Sequence, residues 1–387
     1  MSASSGTARR NQGLDLLRSI AIAMVLANHA ALGFFFDTGR LKWVGMSAGM
    51  SSLSVLSIEW LFVLSGFLIG TMMIRSFETG RDWRGCARDF WYRRWFRTLP
   101  NYYLFLAVNA LLVHWGIAKG DFRWSFALFS QNLAWAEQQP LFFGEAWSLA
   151  LDEWFYFLLP LLIGALMLVS RLPLRAMFWI ASGLLIAAPT AARFWLASDL
   201  DFFAWDANIR RVTVFHLDAT GWGVLAAILN RWHPGWWNGH RLRKALAGVL
   251  LTALACGMIW HLAVNGWQRS PWTGAAHAIM LSLPAAGLVL FLPYLCSIPL
   301  NARPLRYIAG RISLYSYSIY LVHFPALFVM CRLFGVDSSI GTARLIAAVM
   351  TWLGATIAVS AIVYHSFEGP VSDIRERFTR RVNANPF

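Results

Sequence analysis

Residues 14 to 36 form an apolar run, LDLLRSIAIAMVLANHAALGFFF, that is long enough to cross a lipid bilayer. About 20 consecutive apolar residues suffice for a transmembrane helix, because the hydrocarbon core is about 30 Å thick and a helix rises about 1.5 Å per residue. Similar runs recur along the chain, since 58% of its 387 residues are hydrophobic and only 13% are charged. This composition excludes an ordinary soluble domain and indicates an all-α, polytopic (multi-pass) membrane protein.

The apolar runs predict about ten transmembrane helices joined by short loops. Their centres lie near Val25, Ser65, Val108, Leu159, Leu184, Gly223, Ala253, Leu288, Leu321 and Ala355. An even number places both termini on one side, and Lys and Arg are more numerous in the loops on that side, which predicts that both termini are cytoplasmic. Residues 12–370 are therefore expected to form one transmembrane domain between a short polar tail, 1–11, and a basic tail, 371–387.

Two ionisable residues, Arg18 and His29, interrupt the first apolar run. They are eleven residues apart, which is about three helical turns, so they share one helix face and lie about 16 Å apart along the axis. Ionisable groups inside a membrane helix are costly unless they line a polar cavity or meet a partner, which makes both residues candidates for a functional site. A structural role remains an alternative for each residue. Arg18 could extend its guanidinium group to the membrane interface as an anchor, and His29 could pack between helices.

Residues 75–97, RSFETGRDWRGCARDFWYRRWFR, form the most basic segment of a chain whose net charge is +14. Trp, Phe and Tyr are interleaved with Arg, which predicts an amphipathic segment at the membrane interface. One interpretation is attraction to anionic lipid headgroups. The other is a phosphate-binding surface in which Arg94 and Arg97, on one helix face, grip a diphosphate. No nucleic acid partner is expected, because the basic residues occupy short loops between apolar runs.

Acidic residues also fall inside predicted membrane helices, at Glu59 and at the adjacent Asp152 and Glu153. Carboxylates are unusual in hydrocarbon, so each is a candidate partner for Arg18 or His29. The alternative is that they lie at the interface and pair with nothing specific.

Small and aromatic residues mark further positions. Ser65 is followed by Gly66, and this step favours close packing of two helices. Trp147 and Ser148 are expected at the outer end of the fourth membrane helix, where Trp commonly anchors. The four cysteines show no CxxC or metal-ligand spacing, so neither a disulfide framework nor a metal site is expected.

Six segments, in order along the chain, resemble the signatures of the acyltransferase-3 family of integral membrane acyltransferases. They are LDLLRSIAIAMVLANH with Arg18 and His29, LFVLSGFLIG with Ser65, RRWFRTLPNYY with Arg94 and Arg97, WSLALDEWFYFLLP with Trp147 and Ser148, RISLYSYSIYLVHFP with Tyr317 and His323, and FEGP with Glu368. The resemblance covers most of the chain.

The chain departs from the family's pattern at several positions. The glutamate expected after Trp-Ser-Leu falls on Asp152, and Glu153 follows it. The acidic residue of the second membrane helix is more often Asp, whereas this chain has Glu59. An Arg is expected two residues before Asp218, and His216 occupies that position. Many members continue into an extracellular hydrolase-like domain, but this chain ends at Phe387, so a stand-alone member is expected.

The resemblance implies transfer of an acyl group, commonly acetyl, from cytoplasmic acyl-CoA to a hydroxyl of an exported glycan or a lipid-linked saccharide. It also implies a location in the cytoplasmic (inner) membrane of a bacterium. Arg18, Arg94 and Arg97 then bind the CoA phosphates, and His29 acts as a general base. The other site candidates are Glu59, Asp152 and Glu153 as orienting carboxylates, and Ser65, Trp147, Ser148, Tyr317 and His323.

Two other classes and a second route remain as alternatives. A covalent intermediate on Ser65, Ser148 or His29 competes with direct attack in a ternary complex, which we favour. A proton-coupled glycan or lipid transporter would also place Arg and His on one helix face, but it would show broken helices at matching places in both halves. A structural subunit of an envelope assembly complex would tolerate loss of His29.

Overall fold

The structure, a computed structural model, describes residues 11–36, 38–41, 46–196, 200–265 and 272–371. Nearly all of the predicted tails lies outside these residues. The described helices are α1 (Gln12–Ala30), α2 (Met46–Phe77), α3 (Trp83–His114), α4 (Trp124–Ala127), α5 (Ala146–Val169), α6 (Leu174–Trp195), α7 (Phe202–Trp205), α8 (Asp218–Trp232), α9 (Pro234–Asn238), α10 (Arg241–Asn265), α11 (Thr273–Leu295), α12 (Arg303–Phe334) and α13 (Thr342–Val363).

Eight of these helices are long and apolar enough to cross a membrane, namely α1, α2, α5, α6, α10, α11, α12 and α13. The other two predicted membrane helices, near Val108 and Gly223, correspond to α3 and α8. Helix α3 begins inside the basic segment, and α8 has only 15 residues. The described residues therefore confirm an all-helical protein with several membrane-spanning helices, and the number ten stays a prediction.

Helices α1 and α12 run side by side in the same direction. The Ser19 hydroxyl donates to the Ala309 carbonyl oxygen at 2.8 Å, and further along the pair His29 Nδ1 lies 3.0 Å from His323 Nε2. We call the end of the bundle at which α1 begins the Asn11 end, and the opposite end the Phe36 end. The prediction that the Asn11 end is cytoplasmic stays a prediction.

The crossing of α2 and α8 depends on two glycines. A Cβ atom on Gly66 would lie 2.1 Å from the Thr220 carbonyl oxygen, and one on Gly223 would lie 2.3 Å from the Val63 carbonyl oxygen. Only glycine permits such a close approach of two helix backbones. The packing role predicted for the Ser65–Gly66 step is thus confirmed at Gly66.

A buried ion pair explains why the short helix α8 tolerates a charged residue. The Arg193 guanidinium donates to both carboxylate oxygens of Asp218, at 2.8 and 2.7 Å, and both side chains are fully buried. The Ser282 hydroxyl donates to the same carboxylate at 2.6 Å. This bidentate geometry satisfies the buried charges and joins α8 to α6 and α11.

The basic segment 75–97 does not form a helix of its own. It comprises the end of α2, a turn, and the first part of α3, which Asp82 caps by accepting from the Gly85 N–H at 2.9 Å. Phe90 is buried, whereas the arginines Arg84 and Arg88 and the aromatic residues Tyr92 and Phe96 are exposed, so the amphipathic segment stays a prediction.

Candidate active site

A cavity of about 160 Å³, here the first cavity, lies among α1, α2, α3, α5 and α12. Most of the residues singled out from the sequence line it, namely Arg18, Ser65, Arg94, Arg97, Ser148, Asp152, Glu153 and Tyr317. Three guanidinium groups and two carboxylates therefore face one space, although three separate motifs supply them. This convergence is what a binding site for a phosphate-bearing ligand requires, because the cations are held in fixed positions around a cavity.

Arg94 is held against the wall of the first cavity by an aromatic ring. Its guanidinium carbon lies 5.1 Å from the centre of the Tyr156 ring, a cation–π contact. The Tyr156 hydroxyl in turn lies 3.1 Å from the Ser65 hydroxyl, which connects α5 to α2. Ser65 therefore contributes a hydrogen bond between α2 and α5.

The two adjacent carboxylates of α5 both line the first cavity, together with its three arginines. Glu153 is 9% exposed, and one of its oxygens accepts from the Thr98 hydroxyl at 2.6 Å. The neighbouring Tyr317 hydroxyl donates to the Thr98 carbonyl oxygen at 2.8 Å. Since Asp152 and Glu153 face the same space, the structure does not select one of them as the family's glutamate.

A second cavity of about 100 Å³ contains His29. It adjoins the first cavity, because Ile58 and Tyr320 line both. At this junction the Tyr320 hydroxyl lies 2.5 Å from the Ser148 hydroxyl. Trp147 lines the second cavity, one residue before Ser148. The start of α5 therefore contributes to both cavities.

His29 has a histidine neighbour where a carboxylate was expected. Its Nδ1 lies 3.0 Å from Nε2 of His323, which is fully buried. The His323 carbonyl oxygen accepts from the Trp352 indole N–H at 2.9 Å. Glu59, by contrast, contacts a different histidine. The late motif of α12 thus meets the first motif of α1 at this pair, and the orientation of His29 depends on His323.

Glu59 and His216 form a fully buried pair through Oε1 and Nε2. These are two of the positions at which the chain departs from the family's pattern, and they contact each other. His216 Nδ1 lies 2.6 Å from the Arg210 carbonyl oxygen, so this nitrogen must be the donor. The contact with Glu59 then requires a second proton between Nε2 and the carboxylate. The imidazole ring also stacks on Trp147, with ring centres 6.1 Å apart.

Sequence reasoning missed the charged residues of the second cavity. Asp206 accepts from Arg210 Nε at 2.6 Å and from Arg211 Nε at 2.5 Å. Burial raises the pKa of the Asp206 carboxyl, but the two guanidinium groups more than offset this and hold its pKa below the ordinary value. Glu145 lies at the start of α5 and lines the same cavity. The adjacent Arg-Arg pair was the only signal, and it resembles an ordinary loop charge.

The closing motif has a structural role. Glu368 is buried and accepts from the Ser318 hydroxyl at 2.7 Å and from the Asn101 amide at 3.2 Å. It therefore connects the end of the described chain to α12 and to α3, next to the part of α3 that carries Arg94 and Arg97.

A third and wider cavity, of about 760 Å³, lies at the Asn11 end between α2, α3 and α8. It shares Leu68 with the first cavity. Arg75, Arg81 and Arg93 line it. Among the described residues Asp89 is the one acidic lining residue, and it pairs with Arg81 at 2.8 Å. The three cavities thus follow one another from the Asn11 end to His29.

These features define a helical membrane protein with a cationic cavity on one side of the contact between His29 and the buried His323. The sequence model of the acyltransferase-3 family, described as an acyltransferase domain, matches residues 11–367, so the chain belongs to this family.

Two relatives with assigned names are similar over most of this chain. The Bacillus subtilis protein named "Putative peptidoglycan O-acetyltransferase YrhL" is 24% identical over 96% of the chain and 56% of its own length. The Listeria monocytogenes protein named "Peptidoglycan O-acetyltransferase OatA" is 25% identical over 81% of the chain and 48% of its own length. The chain therefore spans about half the length of these relatives. No solved structure matches it.

Proposed function

We propose that this protein is a membrane O-acetyltransferase that moves an acetyl group from cytoplasmic acetyl-CoA to a hydroxyl of an envelope glycan, in the cytoplasmic membrane of a bacterium. The observation that carries the proposal is the junction at Ile58 and Tyr320, where the cationic first cavity meets the cavity of His29. The family membership supports the reaction class, and the names of the relatives support acetyl transfer to a glycan.

The dimensions of the cavities suit the parts of acyl-CoA. The third cavity has a volume within the range of about 300–1,000 Å³ that is usual for small-molecule sites, and it provides arginines for the nucleotide phosphates. The first cavity, at about 160 Å³, is close to the roughly 150 Å³ that encloses a benzene molecule, so it admits a thin chain but no nucleotide. We assign it to the pantetheine arm, with Arg94 and Arg97 next to the diphosphate.

The position of His29 suits a general base. A helix rise of about 1.5 Å per residue separates it from Arg18 by about 16 Å, which is comparable with the length of a pantetheine arm. If His29 Nδ1 donates to His323 Nε2, then His29 Nε2 is unprotonated and can accept the proton of the attacking hydroxyl. In this step the hydroxyl oxygen bonds to the thioester carbon, the carbon–sulfur bond breaks, and the CoA thiolate takes up a proton.

The test uses inverted membrane vesicles, which present the cytoplasmic face to added acetyl-CoA. Thiol release and label transfer to envelope glycan are measured for the wild type, for His29→Ala, and for Arg94→Ala combined with Arg97→Ala. Loss of a general base lowers the rate by about 10² to 10⁴, so we expect that reduction for His29→Ala at unchanged expression. The double arginine variant should raise the KM for acetyl-CoA more than it lowers kcat.

A matched control separates phosphate binding from attraction to lipid headgroups. Arg84 and Arg88 are exposed residues of the same basic segment, and neither lines the three cavities. Arg84→Ala with Arg88→Ala removes the same charge and should leave the donor KM unchanged. If the two double variants change the donor KM equally, the basic segment attracts lipid headgroups and does not bind the CoA phosphates. If wild-type vesicles consume no acyl-CoA but move a glycan or protons, the proposed acetyltransferase is wrong and the protein is a transporter.

A further inference from the structure

The second cavity contains a buried carboxyl group with no partner among the described residues. Glu145 is 1% exposed, lines the cavity beside His29, and neither of its carboxyl oxygens has a hydrogen-bond partner. Burial raises its pKa well above the ordinary value, which favours the protonated form, and a protonated carboxyl group can donate as well as accept. A buried polar group without a partner is costly, which favours a ligand that supplies one.

The same cavity contains two guanidinium groups beside Glu145. One carboxylate, Asp206, lies between two guanidinium groups, those of Arg210 and Arg211. Arg210 is 3% exposed and donates from Nη2 to the Ser54 hydroxyl at 3.1 Å, but its buried Nη1 has no partner in the described structure. The Arg211 side chain is 28% exposed. Among the residues that line the cavity, Arg210 and Arg211 thus share the carboxylate of Asp206, and Nη1 of Arg210 is left without a hydrogen-bond partner.

Support of the fold accounts for only part of this arrangement. The guanidinium group of Arg210 lies 4.9 Å from the centre of the Trp147 ring, and this contact together with Asp206 fixes the position of Arg210. Neither contact uses Nη1 or the carboxyl group of Glu145. These atoms belong to one cavity, and they offer a cationic donor and a buried carboxyl group without a partner to a ligand that enters it.

We propose that Glu145, Arg210 and Arg211 form the acceptor subsite and select a saccharide that carries an anionic group near its reacting hydroxyl. The guanidinium nitrogens bind the carboxylate or phosphate of the acceptor, and Glu145 hydrogen-bonds a hydroxyl or amide of the same sugar. This inference rests on the proposed acetyl transfer and adds the class of acceptor to it.

The test compares acceptors that differ in charge alone. The detergent-solubilised full chain receives acetyl-CoA and either glycan strands freed of peptide, which keep their carboxylates, or the same strands with these carboxylates amidated. N-acetylglucosamine 1-phosphate and uncharged N-acetylglucosamine are added as competitors. We expect the wild type either to prefer the carboxylated strands or to be inhibited by the phosphorylated sugar alone, by about tenfold in each case. The first result identifies a carboxylate and the second a phosphate.

Variants then assign the preference to the subsite. Arg211→Gln should abolish the preference for an anion while leaving the KM for acetyl-CoA unchanged. Glu145→Gln should retain transfer, because an amide also donates and accepts, whereas Glu145→Leu should lower kcat/KM for the acceptor about tenfold. Arg332→Gln is the control, since Arg332 is exposed near the Phe36 end and lines none of the three cavities.

The outcomes separate this inference from the function on which it rests. Transfer that is equal for charged and neutral acceptors, with no selective competitor, would overturn the acceptor subsite and leave the enzyme intact. An equal loss with all acceptors in Arg211→Gln, together with a lower melting temperature, would mean that the residue only supports the fold. If the wild type consumes acetyl-CoA with none of the acceptors, both the acceptor subsite and the proposed acetyl transfer are wrong.

Discussion

The buried pair of Glu59 and His216 allows a quantitative test of how two departures from the family's pattern compensate. Glu59→Asp withdraws the carboxylate by about one bond length, roughly 1.5 Å, from a contact that has no water-exposed surface. An unsatisfied buried group costs about 1–3 kcal/mol. His216→Arg places a longer side chain against Trp147 and Phe62, and overpacking of this kind costs about 1–3 kcal/mol.

The double variant should recover most of the loss. The longer Arg reaches the shorter Asp, and the two residues are then those that the family's pattern carries at these positions. We expect the two single variants together to cost about 2–6 kcal/mol and the double variant about 1 kcal/mol, which is a coupling of at least about 1 kcal/mol. At roughly 2 °C per kcal/mol for a chain of this size, each single variant should melt about 2–6 °C below the wild type.

The assay is thermal unfolding of the detergent-solubilised protein at fixed pH, with acetyl transfer as a second readout. The exposed ion pair of Arg231 and Glu78 provides the control, because its side chains are 52% and 26% exposed and such pairs contribute about 0–1 kcal/mol. Glu78→Asp should therefore leave the melting temperature nearly unchanged. If the losses of Glu59→Asp and His216→Arg simply add in the double variant, the two residues do not compensate each other and the reasoning fails.

Three further predictions concern orientation, donor binding and packing. His323→Gln, which keeps a hydrogen-bonding group beside His29, should retain more transfer than His323→Ala at equal donor KM; the opposite order would exclude an orienting role. Arg75→Gln should raise the KM for acetyl-CoA about tenfold. The KM for acetylpantetheine, which lacks the nucleotide, should stay unchanged. An equal change in KM for both donors would place the nucleotide outside the third cavity. Gly66→Ala should destabilise the protein by at least about 1–3 kcal/mol, because its Cβ would lie 2.1 Å from a carbonyl oxygen. Gly183→Ala is the control and should not destabilise it, because a Cβ there meets no atom within 4 Å. Similar melting temperatures for the two variants would contradict the helix crossing.

Most of the fold follows from local sequence properties, because an apolar run of membrane length has only one way to satisfy its backbone in lipid. The helices of the eight long runs were predicted for this reason. Helices α3 and α8 are not among these eight, since α3 continues the basic segment and α8 is short and carries Asp218. The charge of Asp218 is tolerated through Arg193, which lies on another helix, and hydropathy contains no information about that partner.

The motifs predicted most of the residues that line the first cavity, and the tertiary structure determined which of them meet. Arg18 and His29 could be placed on one face from their spacing, because both lie on the same helix. The partner of His29 could not be predicted from spacing. His323 is 294 positions away, and several carboxylates were equally available in the sequence. The pairing of Glu59 with His216, and the charge of the second cavity, likewise depend on packing between helices. Spacing along a chain is local information, whereas contact between helices is decided by how close their backbones approach.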